Sequence, residues 1–164
     1  MRRRALLAGT AALGSTLLLS ACSVGRAGNT IIDIARATPD LSTFVSAIEA
    51  VGLAETLDGP GPFTVFAPTN AAFAALPDGQ LAALLQPENR RQLINLLTYH
   101  ALAGANPSAQ FAGTRRNVPT LQGQTVLVDG TGGTVRVNDA TVVRADIVAS
   151  NGILHIVNRV ILPA

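Results

Sequence analysis

A short apolar run, Pro62-Phe63-Thr64-Val65-Phe66-Ala67, stops at Pro68-Thr69-Asn70 and resumes as Ala71-Ala72-Phe73-Ala74-Ala75-Leu76. Phe, Thr and Val suit a pleated surface, Pro68 ends the run, and Thr69 or Asn70 can cap the helix that follows. A buried strand leading at once into a short apolar helix requires both kinds of element to share one core. This excludes a simple helical bundle and predicts a compact mixed domain.

The start of the chain reads differently. Met1 to Arg4 is basic, and Ala5 to Leu19 is an apolar, small-residue stretch too short to span a bilayer comfortably, as in an export signal. It ends in Leu19-Ser20-Ala21-Cys22, which resembles a lipobox, where the Cys thiol takes a diacylglycerol and becomes the acylated N-terminus. Residues 1–21 are therefore expected to be a signal peptide, 22–29 a linker from lipidated Cys22, and 30–164 the folded domain. Arg3-Arg4-Ala5-Leu6-Leu7 also resembles a twin-arginine signal, and the sequence leaves that route and the general one open. The expected location is outside the cytoplasm, lipid-anchored to the cell membrane or the outer membrane.

Three of the twelve Arg precede Cys22 and none of the ten acidic residues does, so the chain from Cys22 onward carries nine Arg against ten Asp plus Glu. The basic isoelectric point thus belongs to the targeting segment, and charge supplies no argument for a nucleic-acid partner. Cys22 is the sole cysteine, so no disulfide can form within the domain, and packing alone must hold it.

Thr30 can cap a helix through about Ala37, ended by Thr38-Pro39. Leu41, Phe44, Val45, Ile48 and Val51 then recur at helical spacing before Gly52. Leu53 to Leu57 is weakly helical, Gln80 to Leu85 forms a short helix, and Glu88 to about Tyr99 sets Leu93, Ile94, Leu96 and Leu97 inward. From Gly104 the pattern turns to strands at Val118–Leu121, Thr125–Val128, Val135–Val137, Thr141–Val148 and Ile153–Leu162. The predicted class is α+β with a largely antiparallel sheet, in one domain without repeats.

The last strand is nearly continuously apolar, which implies burial on both faces, and Asn151-Gly152 before it suits a tight hairpin. That strand, the Thr64-Val65-Phe66-Ala67-Pro68-Thr69-Asn70 segment and Tyr99-His100 between them stand in the order and spacing of the fasciclin domain. The chain resembles that family over about Asn29 to Pro163. The resemblance implies a wedge-shaped β-sandwich of about seven strands with helices along one side, in surface-anchored or extracellular adhesion and matrix proteins. Vertebrate relatives use the Tyr-His segment and flanking aliphatics for integrin contact, so Leu96, Leu97, Tyr99, His100 and Leu102 are the corresponding binding candidates here.

Each motif also has a structural reading. Tyr99 and His100 at the inner end of an apolar helix suit partly buried residues with local hydrogen bonds. His155 alternates with Ile153 and Val157 and suits a hydrogen-bonded place in the sandwich. Thr64, Phe66, Ala67, Pro68, Thr69, Asn70 and Gly152 read as builders of the fold. Arg115-Arg116, in a loop from Gly113 to Pro119, offers contact with acidic polysaccharide or a solvated pair of charges.

No catalytic constellation stands out. There is no Gly-x-Ser-x-Gly, the only Cys belongs to the lipobox, and His100 and His155 lack close metal-ligand partners, so neither metal nor cofactor is expected. Asp129-Gly130-Thr131-Gly132-Gly133 joins two strands and reads as a hairpin loop. The first expectation is a lipid-anchored adhesion or envelope protein that contacts surface or matrix protein or polysaccharide. The alternatives are a hydrolase on cell-wall or plant-derived esters, with Thr69, Asn70 and His100 as its polar groups, and a structural envelope module.

Overall fold

The computed structural model describes residues 29–163; Cys22 and the predicted signal segment lie outside the described residues. The first helix, α1 (Ile31–Ala37), begins at a capping box. Thr30 Oγ1 accepts from the Asp33 amide at 3.3 Å, and the Asp33 carboxylate accepts from the Thr30 amide at 3.1 Å. A 3₁₀ turn (Pro39–Leu41) leads into α2 (Ser42–Val51), which ends on Gly52 in the left-handed conformation. The short α3 (Ala54–Leu57) then precedes β1 (Phe63–Pro68).

The corner after β1 is built as its residues suggest, with α4 (Asn70–Ala74) capped by Thr69 Oγ1 on the Ala72 amide. Two more helices follow, α5 (Gln80–Leu84) and α6 (Arg90–Tyr99). The remaining strands are β2 (Ala101–Ala103), β3 (Arg115–Pro119), β4 (Thr125–Asp129), β5 (Arg136–Val137), β6 (Ala140–Ala149) and β7 (Gly152–Val157).

Seven strands form one mixed sheet in the order β2-β1-β7-β6-β5-β4-β3. Only the central β1 and β7 run parallel, from Phe63 opposite Gly152 to Pro68 opposite Val157. The long β6 carries register shifts between Val142 and Ile147, where the pairing is irregular and the strand bends. The sheet folds over, and its two ends meet where Leu102 bridges Thr120 and the Leu121 amide donates to Ala101. The α+β class and the helix-covered, wedge-like sandwich expected from the sequence are what the structure contains.

Strand alternation explains why β1 and β7 are buried on both faces and apolar apart from Thr64 and His155. Val65, Ala67, Leu154 and Ile156 face a core under the helices with Phe44, Ile48, Leu93 and Leu97. Phe66 and Val157 face a second core between the sheet layers with Phe111, Val126, Val128 and Val137. Both faces are buried, and burial of each large side chain contributes roughly 1.5–3 kcal/mol.

The structure corrects several boundaries. The last strand stops at Val157 and does not continue to Leu162, because Asn158 turns the chain out by pairing with Thr141 through both its amide and its side-chain Oδ1. β2 was not expected, since three residues between Ala-rich positions carry no alternating signal. Arg115 and Arg116 lie in the edge strand β3 and not in a loop.

The hairpin between β6 and β7 turns on Ser150-Asn151 and not on Asn151-Gly152, since Ala149 pairs with Gly152. Asn151 instead ties three segments together. Its Nδ2 donates to Leu57 O at 2.7 Å and Gly59 O at 3.1 Å, and its Oδ1 accepts from the Ile31 amide at 3.0 Å. Asn151→Ala removes all three bonds and leaves partly buried backbone groups unpaired, so it is expected to cost about 2 kcal/mol in urea unfolding.

Candidate functional site

The polar residues of α6 sit where an amphipathic helix delivers its last turn into the core. Leu96, Leu97, Tyr99, His100 and Leu102 are all less than 5% exposed. Tyr99 passes under the second core, donates its hydroxyl to Thr125 O at 3.1 Å and accepts from Asn138 Nδ2 at 3.2 Å. His100 Nδ1 donates to Leu96 O at 2.7 Å, while Nε2 accepts from the Ile161 amide at 2.9 Å. Those two partners require the neutral Nδ1–H tautomer. Burial, opposed only by the Leu96 carbonyl, pushes the imidazole pKa down to about 4.

The strand-to-helix segment is equally committed to its own architecture. Thr64 is fully buried, donates to Gly104 O at 2.6 Å and accepts from the Asn106 amide at 2.8 Å, which pins the loop after β2. Phe66 stacks on His155 with ring centroids 5.3 Å apart, and Ala67 lies in the helical core. Pro68 closes the β1 pairing opposite Val157. Asn70 Oδ1 accepts from the Thr43 amide at 3.0 Å, and its Nδ2 donates to Pro39 O and Ser42 Oγ, both at 3.0 Å. Asn70 therefore joins α4 to the start of α2.

Gly152 is required by a close approach, since a Cβ there would lie 2.0 Å from Phe63 O. His155 is 1% exposed, its Nε2 donates to Asn106 O at 3.0 Å, and its Nδ1 accepts from the Asp146 amide at 3.2 Å. Asp146 holds a positive φ in the irregular stretch of β6 and receives both the amide and the hydroxyl of Ser108. Those Ser108 bonds hold its carboxyl below the usual range. This Ser108-Asp146-His155 chain escaped sequence reasoning because it depends on the bulged register of β6. The serine bonds the aspartate and not the imidazole, so it is a clamp between a loop and two strands, not a nucleophile with its base.

Thr69, Asn70 and His100, the groups an esterase would need, do not converge. Each is bonded to backbone, and His100 is sealed from solvent. Among the described residues no cluster of three or more His, Cys, Asp or Glu is placed to hold a metal. An open cleft of about 650 Å³ runs beside the C-terminal segment, with Tyr99, Asn117, Asn138, Asp139 and Arg159 in its lining.

The exposed chemistry lies on the strands. Arg115 pairs across the ladder with Asp129, and Asp129 with Arg136. Arg116, on the opposite face, sets its guanidinium 5.0 Å from the Phe111 ring centroid and covers that buried phenyl. The adjacent arginines are thus split by the pleat, one toward solvent and one over the core.

A helix-covered mixed sheet of this form matches the FAS1 domain pair of the insect cell adhesion molecule fasciclin I. The likeness has a TM-score of 0.57 at 24% identity and covers 74% of this chain and 45% of that one. The sequence profile of the Fasciclin domain matches residues 39–163, and the chain belongs to the fasciclin domain family. It is 46% identical over 134 residues to protein sll1483 of Synechocystis sp., covering 82% of this chain and 73% of that protein. Over 130 residues it is 38% identical to immunogenic protein MPB70 of Mycobacterium bovis, covering 76% and 64%. Human periostin is 33% identical over 124 residues, 75% of this chain but 15% of periostin.

Proposed function

We propose that the chain is an extracellular adhesion module, displayed from the membrane through lipid on Cys22, that organises the cell surface by contact with surface or matrix protein or polysaccharide. Residues 1–21 act as the export signal, 22–29 as the tether, and 30–164 as the displayed domain. The observation that carries this reading is the Fasciclin domain match over residues 39–163. The adhesion molecule among its structural neighbours supports it, as do periostin and protein ig-h3 of Sus scrofa among its relatives. No helix among the described residues is long and apolar enough to cross a membrane. Two or more acyl chains give a stable anchor, whereas one binds reversibly.

The reading is tested by deletion and by anchor removal. A strain lacking the protein is expected to lose surface attachment, and unchanged attachment would overturn adhesion. Cys22→Ala is expected to move the protein from the membrane fraction to the soluble exported fraction. Persistence in the membrane fraction would overturn the anchor while leaving the adhesive role to be judged by the deletion.

A further inference from the structure

Charge is segregated in this domain. Residues 29–100, which hold the helices, carry three Arg and seven acidic residues, whereas residues 101–163, which hold six of the seven strands, carry five Arg and three Asp. Within the strand half, the register places Arg115, Asp129, Arg136 and Thr141 side by side on one face of β3, β4, β5 and β6. Both arginines are exposed. The Asp129 carboxylate between them is fixed, because Oδ1 accepts the amide of Thr131 at 3.0 Å and its hydroxyl at 2.6 Å. Its Oδ2 stands 3.8 Å from Arg115 Nε, a separation that leaves most of the five guanidinium donors turned to solvent.

We propose that this row binds a carboxylated polysaccharide, a uronate polymer lying across β3, β4 and β5. The biological role of such a site rests on the adhesion reading above. Strands are spaced 4.7–4.9 Å apart, so Arg115 and Arg136 project about 10 Å from one another. That is of the order of one disaccharide repeat, which brings carboxylates on alternate sugars to the two guanidiniums for paired hydrogen bonds. Asp129, an acceptor held in place by Thr131, takes hydroxyl donors of the sugar between them.

The same aspartate selects against other polyanions. Along a uronate chain of two-fold twist the middle sugar turns its carboxylate away from the sheet and shows Asp129 its hydroxyls, whereas the more closely spaced charges of polyphosphate and nucleic acid set a negative group against it. Placement selects against a lipid surface. The row meets β6 at Thr141, whereas the N-terminal segment meets the far end of β6, where the Ser150 amide donates to Asn29 O. The two points are roughly 25 Å apart along the strand. A domain tethered through the residues before Asn29 therefore carries this row at the end remote from its tether.

The test is retention of the purified full-chain protein on immobilised polygalacturonate, against neutral dextran, inorganic polyphosphate and phosphatidylglycerol vesicles. The expected result is salt-sensitive binding to polygalacturonate that weakens about tenfold or more in Arg115→Gln/Arg136→Gln, with an unchanged urea midpoint. Arg91→Gln, on the helical half, is expected to bind as the unmodified protein does. Asp129→Asn is expected to shift preference toward polyphosphate. Equal retention of the double variant, or equal binding of the unmodified protein to dextran, polyphosphate or vesicles, overturns the site. In cells, normal attachment by the double variant, where the deletion strain fails, overturns the site's role and leaves adhesion standing. Normal attachment by the deletion strain overturns adhesion, and polygalacturonate retention still decides the site.

Discussion

Gly152→Ala is expected to abolish stable folding. The added Cβ would lie 2.0 Å from the Phe63 carbonyl oxygen and 2.8 Å from the Phe63 carbonyl carbon and nitrogen, all backbone atoms of the partner strand. No rotamer change relieves such a contact, so β1 and β7 must separate at the start of their parallel ladder. Because those two strands face both cores, the disturbance reaches Leu154 on one side and Phe66 on the other. A loss of about 4 kcal/mol or more falls among the largest single-residue effects and consumes much of an ordinary domain's stability. The measurement is thermal unfolding of the purified variant, with a midpoint lower by roughly 15 °C or no soluble protein. Gly132→Ala, which meets nothing within 4 Å, is the control and is expected to be near neutral.

The second large effect is a loss of stability in mild acid that originates in His100. Its folded pKa of about 4 lies below the 6.5 of the unfolded chain, so between those values the unfolded state takes up a proton that the folded state refuses. The stabilisation is complete above about pH 6.5 and is lost progressively as the pH falls toward 4. Its size is about 3 kcal/mol, because each tenfold difference in proton affinity between the two states is worth about 1.36 kcal/mol. Protonation of Nε2 would also set a donor against the Ile161 amide, which now donates to it. His155, lowered chiefly by its burial, acts in the same direction. The carboxyls of Asp129 and Asp146 are held low by Thr131 and Ser108 respectively, so their stabilisation disappears only at more acid pH. Urea midpoints between pH 4 and 7 should therefore follow the imidazoles. His100→Asn is expected to lose about 2 kcal/mol at pH 7, because a buried amide loses its acceptor, and to flatten most of the acid slope. An unchanged slope in that variant would sink the assignment.

These two residues show how far local pattern reaches. The alternation of β7 was enough to place His155 among buried neighbours, and the apolar spacing of α6 was enough to direct Leu93, Leu96 and Leu97 inward. Capping by Thr30 and Thr69 was equally legible, because a cap is satisfied within three residues of itself. The partners of His100 were not legible, since Ile161 lies 61 positions away. Nor was the three-way tie at Asn151, which spans up to 120 positions. There the sequence suggested only a turn, and the side chain proved to hold α1 and the segment after α3 against the β6–β7 hairpin.

The candidate binding residues divide along the same line. A Tyr-His pair beside leucines reads more readily as partly buried core than as a contact surface, and the folded sheet leaves Leu96, Leu97, Tyr99, His100 and Leu102 less than 5% exposed. Arg115 and Arg136 are separated by 20 intervening positions that include two hairpin turns, so nothing in their spacing groups them. The β3-β4-β5 register does, with Asp129 between them.

The sequence by itself determined most of the element types, the strand-to-helix corner, the two-faced burial of the last strand and the family, because periodicity, capping and motif order are local or ordered along the chain. Tertiary structure alone decided where the strands end, which polar groups are consumed by the fold and which charges stand together. Those depend on register and close approach between segments far apart in sequence, and a shift of one residue would exchange the buried and exposed faces of every strand concerned.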